Sequence, residues 1–205
     1  MRIYMRGTSP RSEGTMSDLE EKFLHREEIY RGHMLHLVRD TVRLPDGKQA
    51  MREICLHVGA VCVLPLLEDG RVIMERQYRY AHHRVFLEIP AGKLNDRNED
   101  PLAAVQRELF EETGATAERY TPLGELDTTP ALIDEKITMY LAEGLTLHDE
   151  RRLDEDEFLD VELIPLPTLF DMVMDGRIRD AKTQVAVLKV WALRGSRFSG
   201  GKNPS

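Results

Sequence analysis

Three glutamates, Glu108, Glu111 and Glu112, crowd into the last turn of a predicted helix. Glu108 and Glu112 are i,i+4 neighbours and Glu108 and Glu111 are i,i+3 neighbours. All three therefore share one face, while Leu102, Val105 and Leu109 fall on another. Asp100 suits the N-cap, Pro101 the first helical position and Gly114 the C′ position. The arrangement is locally unfavourable. Like charges at this spacing repel by a few tenths of a kcal/mol, and the helix C-terminus is the negative end of the dipole. A hard divalent cation reverses both effects, because Mg²⁺ binds carboxylate oxygens and bridges them to phosphate. Arg107 offsets part of the repulsion. On the glutamates alone, a metal-binding face and a solvated acidic face are both open.

The wider pattern is more specific. Gly92, Glu99 and then Arg107-Glu108-Leu109-Phe110-Glu111-Glu112-Thr113-Gly114-Ala115 closely resemble the Nudix box, G-x5-E-x7-R-E-U-x-E-E-x-G-U with U apolar. From Glu99 onward every named position and the seven-residue gap are kept. One departure exists: six residues, Lys93 to Asn98, separate Gly92 from Glu99 where the family has five. The extra residue falls in an Asn-Asp-Arg-Asn turn, where insertions are tolerated best.

Composition narrows the alternatives. A chain of 205 residues suits one domain with an appendage and can bury a real core. No 18-residue apolar run is present, so no membrane span is expected. Residues 1–16 carry charge without an apolar signal core and read as a disordered extension, with Met16 an alternative start. Cys55 and Cys62 lack metal-site spacing and read as buried small hydrophobes in a reducing, cytoplasmic setting. A formal net charge of −8 argues against a nucleic-acid partner, which would need a basic stripe. It does not argue against a phosphate-bearing ligand, since bound cations override the local field.

The elements that must position the box follow from patterning. Residues 17–31 mix charge and apolar groups without a clean period and read as strand or short helix. His36–Leu44 and Met51–His57 are strands joined by a turn at Pro45-Asp46-Gly47-Lys48, which makes a hairpin. Gly59–Leu66 is a near-continuous apolar run suited to a central strand. Arg71–Tyr78 follows a Glu68-Asp69-Gly70 turn as its antiparallel partner. Val85–Ile89 is a short strand leading into the box. Tyr120–Glu125, Glu135–Ala142 and Glu157–Ile164 read as strands, Leu166–Met174 as a short helix, and Ala181–Leu193 as a final helix holding Trp191 in the core. This order argues for α+β or a mixed sheet flanked by helices. The Nudix resemblance implies an α/β/α sandwich around a mixed sheet at 58–195. Residues 17–57 form a small N-terminal antiparallel β module for dimerisation, and 196–205 a flexible tail.

Features outside the box resemble the ADP-ribose pyrophosphatase branch. These are Gln77-Tyr78-Arg79-Tyr80, Leu87-Glu88-Ile89-Pro90-Ala91-Gly92-Lys93-Leu94, Pro130 fifteen residues past Ala115, Asp154–Val161 and Gly176–Thr183. The resemblance covers roughly residues 20 to 195. It implies Mg²⁺-dependent hydrolysis of ADP-ribose or a related ADP-sugar to AMP and a sugar phosphate, with Mn²⁺ a possible substitute. Hydrolysis of another nucleoside diphosphate sugar such as GDP-mannose, or a non-catalytic ADP-ribose-binding module, remain the alternatives. A sugar diphosphate needs a cationic clamp, for which Arg79 and Arg52 are candidates, although each also reads as a surface ion pair. Tyr30 is a candidate platform for adenine or a plain hairpin aromatic. Glu88 and Pro130 complete the candidate substrate-binding set. His82 and His83 read as solvated loop residues.

By resemblance, Glu108 and Glu112 are metal ligands, helped by the Ala91 carbonyl and Glu111. Glu99 is an outer ligand, and Arg107 orients the carboxylates. The resemblance also puts a general base in an acidic loop outside the box, and Asp154-Glu155-Asp156-Glu157 matches it. Glu157 is favoured, with Glu155 close behind, against a solvated loop. A lone hairpin is marginal in water. The resembling branch packs it across a two-fold axis, so a homodimer is expected.

Overall fold

The computed structural model describes residues 19–148 and 158–198, the last three of these by backbone only. The chain divides into two compact units at Cys55/Leu56.

The first unit is a three-stranded sheet of order β1-β2-β3, with β1 at Lys22–Arg31, β2 at His36–Arg43 and β3 at Gln49–Leu56. Its first strand settles Lys22–Arg31 of the ambiguous stretch as extended backbone. Two register shifts, between Phe23 and His25 and between Glu28 and Tyr30, explain the missing alternation, because each bulge reverses which side chains share a face. Every residue of β1 is exposed, whereas β2 buries Val38, Asp40 and Val42. Asp40 is tolerated there because Arg26 from β1 grips it with two bonds of 2.7 Å. The turn between β2 and β3 closes through Gly47, whose φ of 88° favours glycine.

The second unit holds two sheets. One has four strands in the order β7-β4-β9-β8, with β4 at Ala60–Pro65, β7 at Ala91–Lys93, β8 at Ala115–Asp127 and β9 at Lys136–Leu147. The other has the order β10-β5-β6, with β5 at Arg71–Arg79, β6 at Arg84–Glu88 and β10 at Leu159–Pro165. Strand β4 runs parallel to β9 and antiparallel to β7, so the sheet is mixed.

Alternation along β4 explains the layering. Val61 and Val63 pack with Ala104, Val105 and Leu109 of α1 (Pro101–Thr113). Cys62 and Leu64 face the other way, onto Leu169 and Val173 of α2 (Leu166–Met174) and Ala186, Val187 and Val190 of α3 (Ala181–Phe198). A strand buried on both faces needs no polar alternation, which is why it reads as a continuous apolar run. The result is the expected α/β/α sandwich.

Four local expectations are corrected. Strand β5 is not the antiparallel partner of β4. Beyond a single bridge between Leu66 and Val72 the two splay into different sheets. A tight turn predicts pairing only near itself, and β4 already has neighbours on both edges. Trp191 is not a core residue. It is 37% exposed and stacks on Phe170 with ring centroids 4.5 Å apart. Leu102 is exposed, since Ala104, Val105 and Leu109 form the inward side of the helix. Cys55 is only half-buried, while burial pushes the Cys62 thiol up to about 12.

Candidate functional site

Helix α1 is delimited as its sequence predicts. The Asp100 carboxylate accepts the Leu102 N–H, Pro101 opens the first turn, and Gly114 ends the helix at φ 70°. These caps fix where the helix stops, and with it the rotation of Glu108, Glu111 and Glu112 around the axis.

The three glutamates do not point uniformly into solvent. Glu112 is buried at 3% exposure, and its Oε2 accepts the Ala91 N–H at 3.0 Å. Glu112 therefore links α1 to β7, so the carboxylate face is not simply a solvated one. Arg107 donates to Glu108 Oε1 at 2.7 Å and to Glu111 Oε2 at 3.1 Å, and lies 3.4 Å from Glu99 Oε1. Burial works against this guanidinium's charge, but Glu108 and Glu111 more than offset it and raise its pKa.

Gly92 has a specific reason to be glycine. A Cβ there would overlap the Glu108 carboxylate. The carboxylate thus lies directly over bare backbone, a space no other residue type leaves open.

The six-residue loop before Glu99 is tied down by its own polar groups, one of which holds that carboxylate. The Asn95 side-chain amide donates to Glu99 at 3.0 Å, the Asn98 N–H donates to Asp96 at 2.7 Å, and Arg97 pairs with Asp134 at 2.7 Å.

Three carboxylates, Glu99, Glu108 and Glu111, consequently surround one guanidinium, with Glu112 held apart on the Ala91 N–H. Among the described residues no three His, Cys, Asp or Glu side chains converge into a metal cage as they stand. The donor chemistry nevertheless fits a hard divalent cation: every side-chain donor is a carboxylate oxygen, and the Gly92 cradle holds one of them against backbone.

Residues 56–184, which include all of this geometry, match the NUDIX domain family. The chain belongs to that family. It is 42% identical to the ADP-ribose pyrophosphatase of Bacillus subtilis (strain 168) over 173 residues, 84% of this chain and 93% of that protein. It is 40% identical to the methanol dehydrogenase activator of Bacillus methanolicus over 82% of this chain and 91% of that one. The crystal structure of an ADP compounds hydrolase superposes with a TM-score of 0.77 at 23% identity, covering 92% of this chain and 100% of that chain, a likeness of fold.

Of the sequence-predicted substrate residues, this NUDIX domain brings Arg79 and Glu88 together. Arg79, at the end of β5, is clamped on Glu88 of β6 by bonds of 2.9 and 2.8 Å. Glu88 is buried. Burial pushes its carboxyl up, but Arg79 and Lys182 more than offset this and hold it at about 2. Pro130 is exposed in the turn between β8 and β9. Arg52 and Tyr30 belong to the other unit. Arg52 is in a surface ion pair with Glu21, and Tyr30 is 57% exposed on β1. His82 and His83 are exposed at a 3₁₀ turn, as expected. Glu155 and Glu157 lie outside the described residues.

Sequence reasoning assigned no role to the start of α3. Lys182 is 8% exposed and pairs with both Glu88 and Asp180, the latter at 3.1 Å. Burial lowers its pKa, but the two carboxylates prevail and raise it. The buried Thr183 hydroxyl accepts the Ile89 N–H at 3.0 Å and donates to Asp180 at 2.6 Å. The available signal was the cluster Asp180, Lys182 and Thr183 just ahead of the apolar run 185–188.

Proposed function

We propose that the chain hydrolyses the diphosphate bond of ADP-ribose with one water, giving AMP and ribose 5-phosphate, with Mg²⁺ as the working cation. The observation that carries this reading is the set of box carboxylates held around Arg107 and over Gly92, in a chain 42% identical to an ADP-ribose pyrophosphatase across nearly all of that protein.

Glu108 and Glu112 would hold the cation, with Glu111 and the Ala91 carbonyl assisting and Glu99 outside them. When bound, the cation neutralises phosphoryl oxygens and lowers the pKa of water. The chain's own residues do the rest. Arg107 keeps three carboxylates from repelling one another and holds them for exchange onto a cation. Gly92 lets Glu108 approach the backbone. Arg79, 41% exposed in its side chain, is the cation that turns to a substrate phosphate. Glu157, or Glu155 beside it, takes the proton from the attacking water.

Two further parts of the reading concern assembly and place. The apolar surface of β1, with Phe23, Ile29 and Tyr30 all exposed, supports a homodimer formed through the N-terminal unit. Two free cysteines, Cys55 and Cys62, support a cytoplasmic setting. Among the described residues no helix is long and apolar enough to cross a membrane.

The test is a panel of nucleoside diphosphate sugars with Mg²⁺, products resolved by chromatography. ADP-ribose should exceed GDP-mannose in kcat/KM by about tenfold or more. GDP-mannose in first place would reassign the substrate, and binding without turnover of any of them would favour a sensor.

A further inference from the structure

We infer that Lys182 is a positioning residue whose buried charge frees Arg79 from Glu88 to bind the substrate's diphosphate. This rests on the reading that Arg79 contacts that diphosphate.

Glu88 is served by two cations of different kind. Arg79 reaches it with two bonds and is 41% exposed in its side chain, so it can turn outward. Lys182 reaches the same carboxylate from α3 and is 10% exposed in its side chain, held also by Asp180 at 3.1 Å. Lys182 has nowhere to go. Glu88 itself is 5% exposed in its side chain, and a buried carboxylate left without a cation is strongly destabilising. A second buried acid, Glu75, stands directly opposite Glu88 in the β5–β6 ladder, which increases the demand for a resident positive charge.

With Lys182 present, the departure of Arg79 leaves Glu88 paired. Without it, every substrate molecule that draws Arg79 away must also strip a buried carboxylate. The consequence reaches the box, because Glu88 stands three residues before Ala91 and four before Gly92. The same turn of α3 anchors the intervening backbone through Thr183 to Ile89.

Binding of ADP-ribose without divalent cation, followed by calorimetry, reads this directly alongside steady-state KM and kcat. Lys182→Met should weaken binding and raise KM by about tenfold or more, because Glu88 then competes for Arg79. Lys182→Arg should restore binding to within about threefold of the parent. Glu88→Gln should bind at least as tightly as the parent, and Glu88→Gln/Lys182→Met should match Glu88→Gln within about threefold. A brace with only a structural role would instead leave the double variant as weak as Lys182→Met, which overturns the inference. So does a Glu88→Gln chain, folded by circular dichroism, that loses binding by about tenfold, even if Lys182→Met fails to fold. The underlying reading fails separately, and takes this inference with it, if Arg79→Met binds as tightly as the parent.

Discussion

The Ala91 N–H and the Glu112 carboxylate meet across 3.0 Å, joining the first residue of β7 to the last turn of α1. The glutamate that carries most of its interest for metal chemistry is thereby also the most buried of the box. It is oriented by the backbone of the residue whose carbonyl is a further candidate ligand.

Glu112→Gln tests that double role. Glutamine keeps an oxygen acceptor for Ala91 and loses the charge, so the hydrogen bond weakens by about 1 kcal/mol and Tm falls by a few degrees. Turnover should fall by roughly 100-fold or more. A folded variant with most of its Mg²⁺-dependent rate would remove Glu112 from the metal site.

Gly92→Ala should separate site geometry from stability. The added methyl overlaps the Glu108 carboxylate, whose long side chain can move aside at modest cost. The variant should fold with nearly the parent Tm while activity and Mg²⁺ affinity fall by about tenfold or more. Unchanged Mg²⁺ affinity by calorimetry would show that Glu108 need not lie over that backbone.

Acid should weaken the fold partly through Glu88. Its carboxyl is held at about 2, whereas an unfolded glutamate titrates near ~4.3. Between these values the unfolded chain takes up a proton that the native chain refuses. The contribution is therefore complete above about pH 4.3 and is lost as pH falls towards 2. Urea midpoints should decline across that window, and Glu88→Gln should flatten this part of the curve. Equal slopes in the two chains would assign the acid sensitivity elsewhere.

Light scattering should give about twice the 23.6 kDa chain mass. Ile29→Glu, on the wholly exposed β1, should shift the population towards monomer without unfolding the chain. A monomeric parent at micromolar concentration would refute assembly through this strand.

Much of the fold was legible because strong local signals agreed with one another. Asp100, Pro101 and Gly114 delimit α1 as read, since capping chemistry depends on a few adjacent residues. Strand β4 was visible as an apolar run, but its partners were not. Pairing β4 with β9 joins Ala60 to Ile137, a separation no local pattern encodes. In the site, the i,i+4 geometry of Glu108 and Glu112 was readable, while burial of Glu112 was not, because it depends on β7 passing beside the helix. Lys182 was equally hidden. A lysine on a helix ordinarily reads as solvated, and only the tertiary approach of β6 turns it into a buried counter-charge.

Trp191 is the chain's single tryptophan, and its stack on Phe170 places the only strong intrinsic fluorophore on the seam between α2 and α3. That seam lies in the helical layer on the far side of the mixed sheet from α1. Emission at 295 nm excitation is therefore an optical gauge of the α2–α3 layer alone. Loading the carboxylate face with a cation should leave the spectrum still, whereas undocking of α3 should red-shift it as the indole meets water. A spectroscopist can thus follow unfolding and cation loading in one cuvette as separate signals, the second read from activity while the first stays constant.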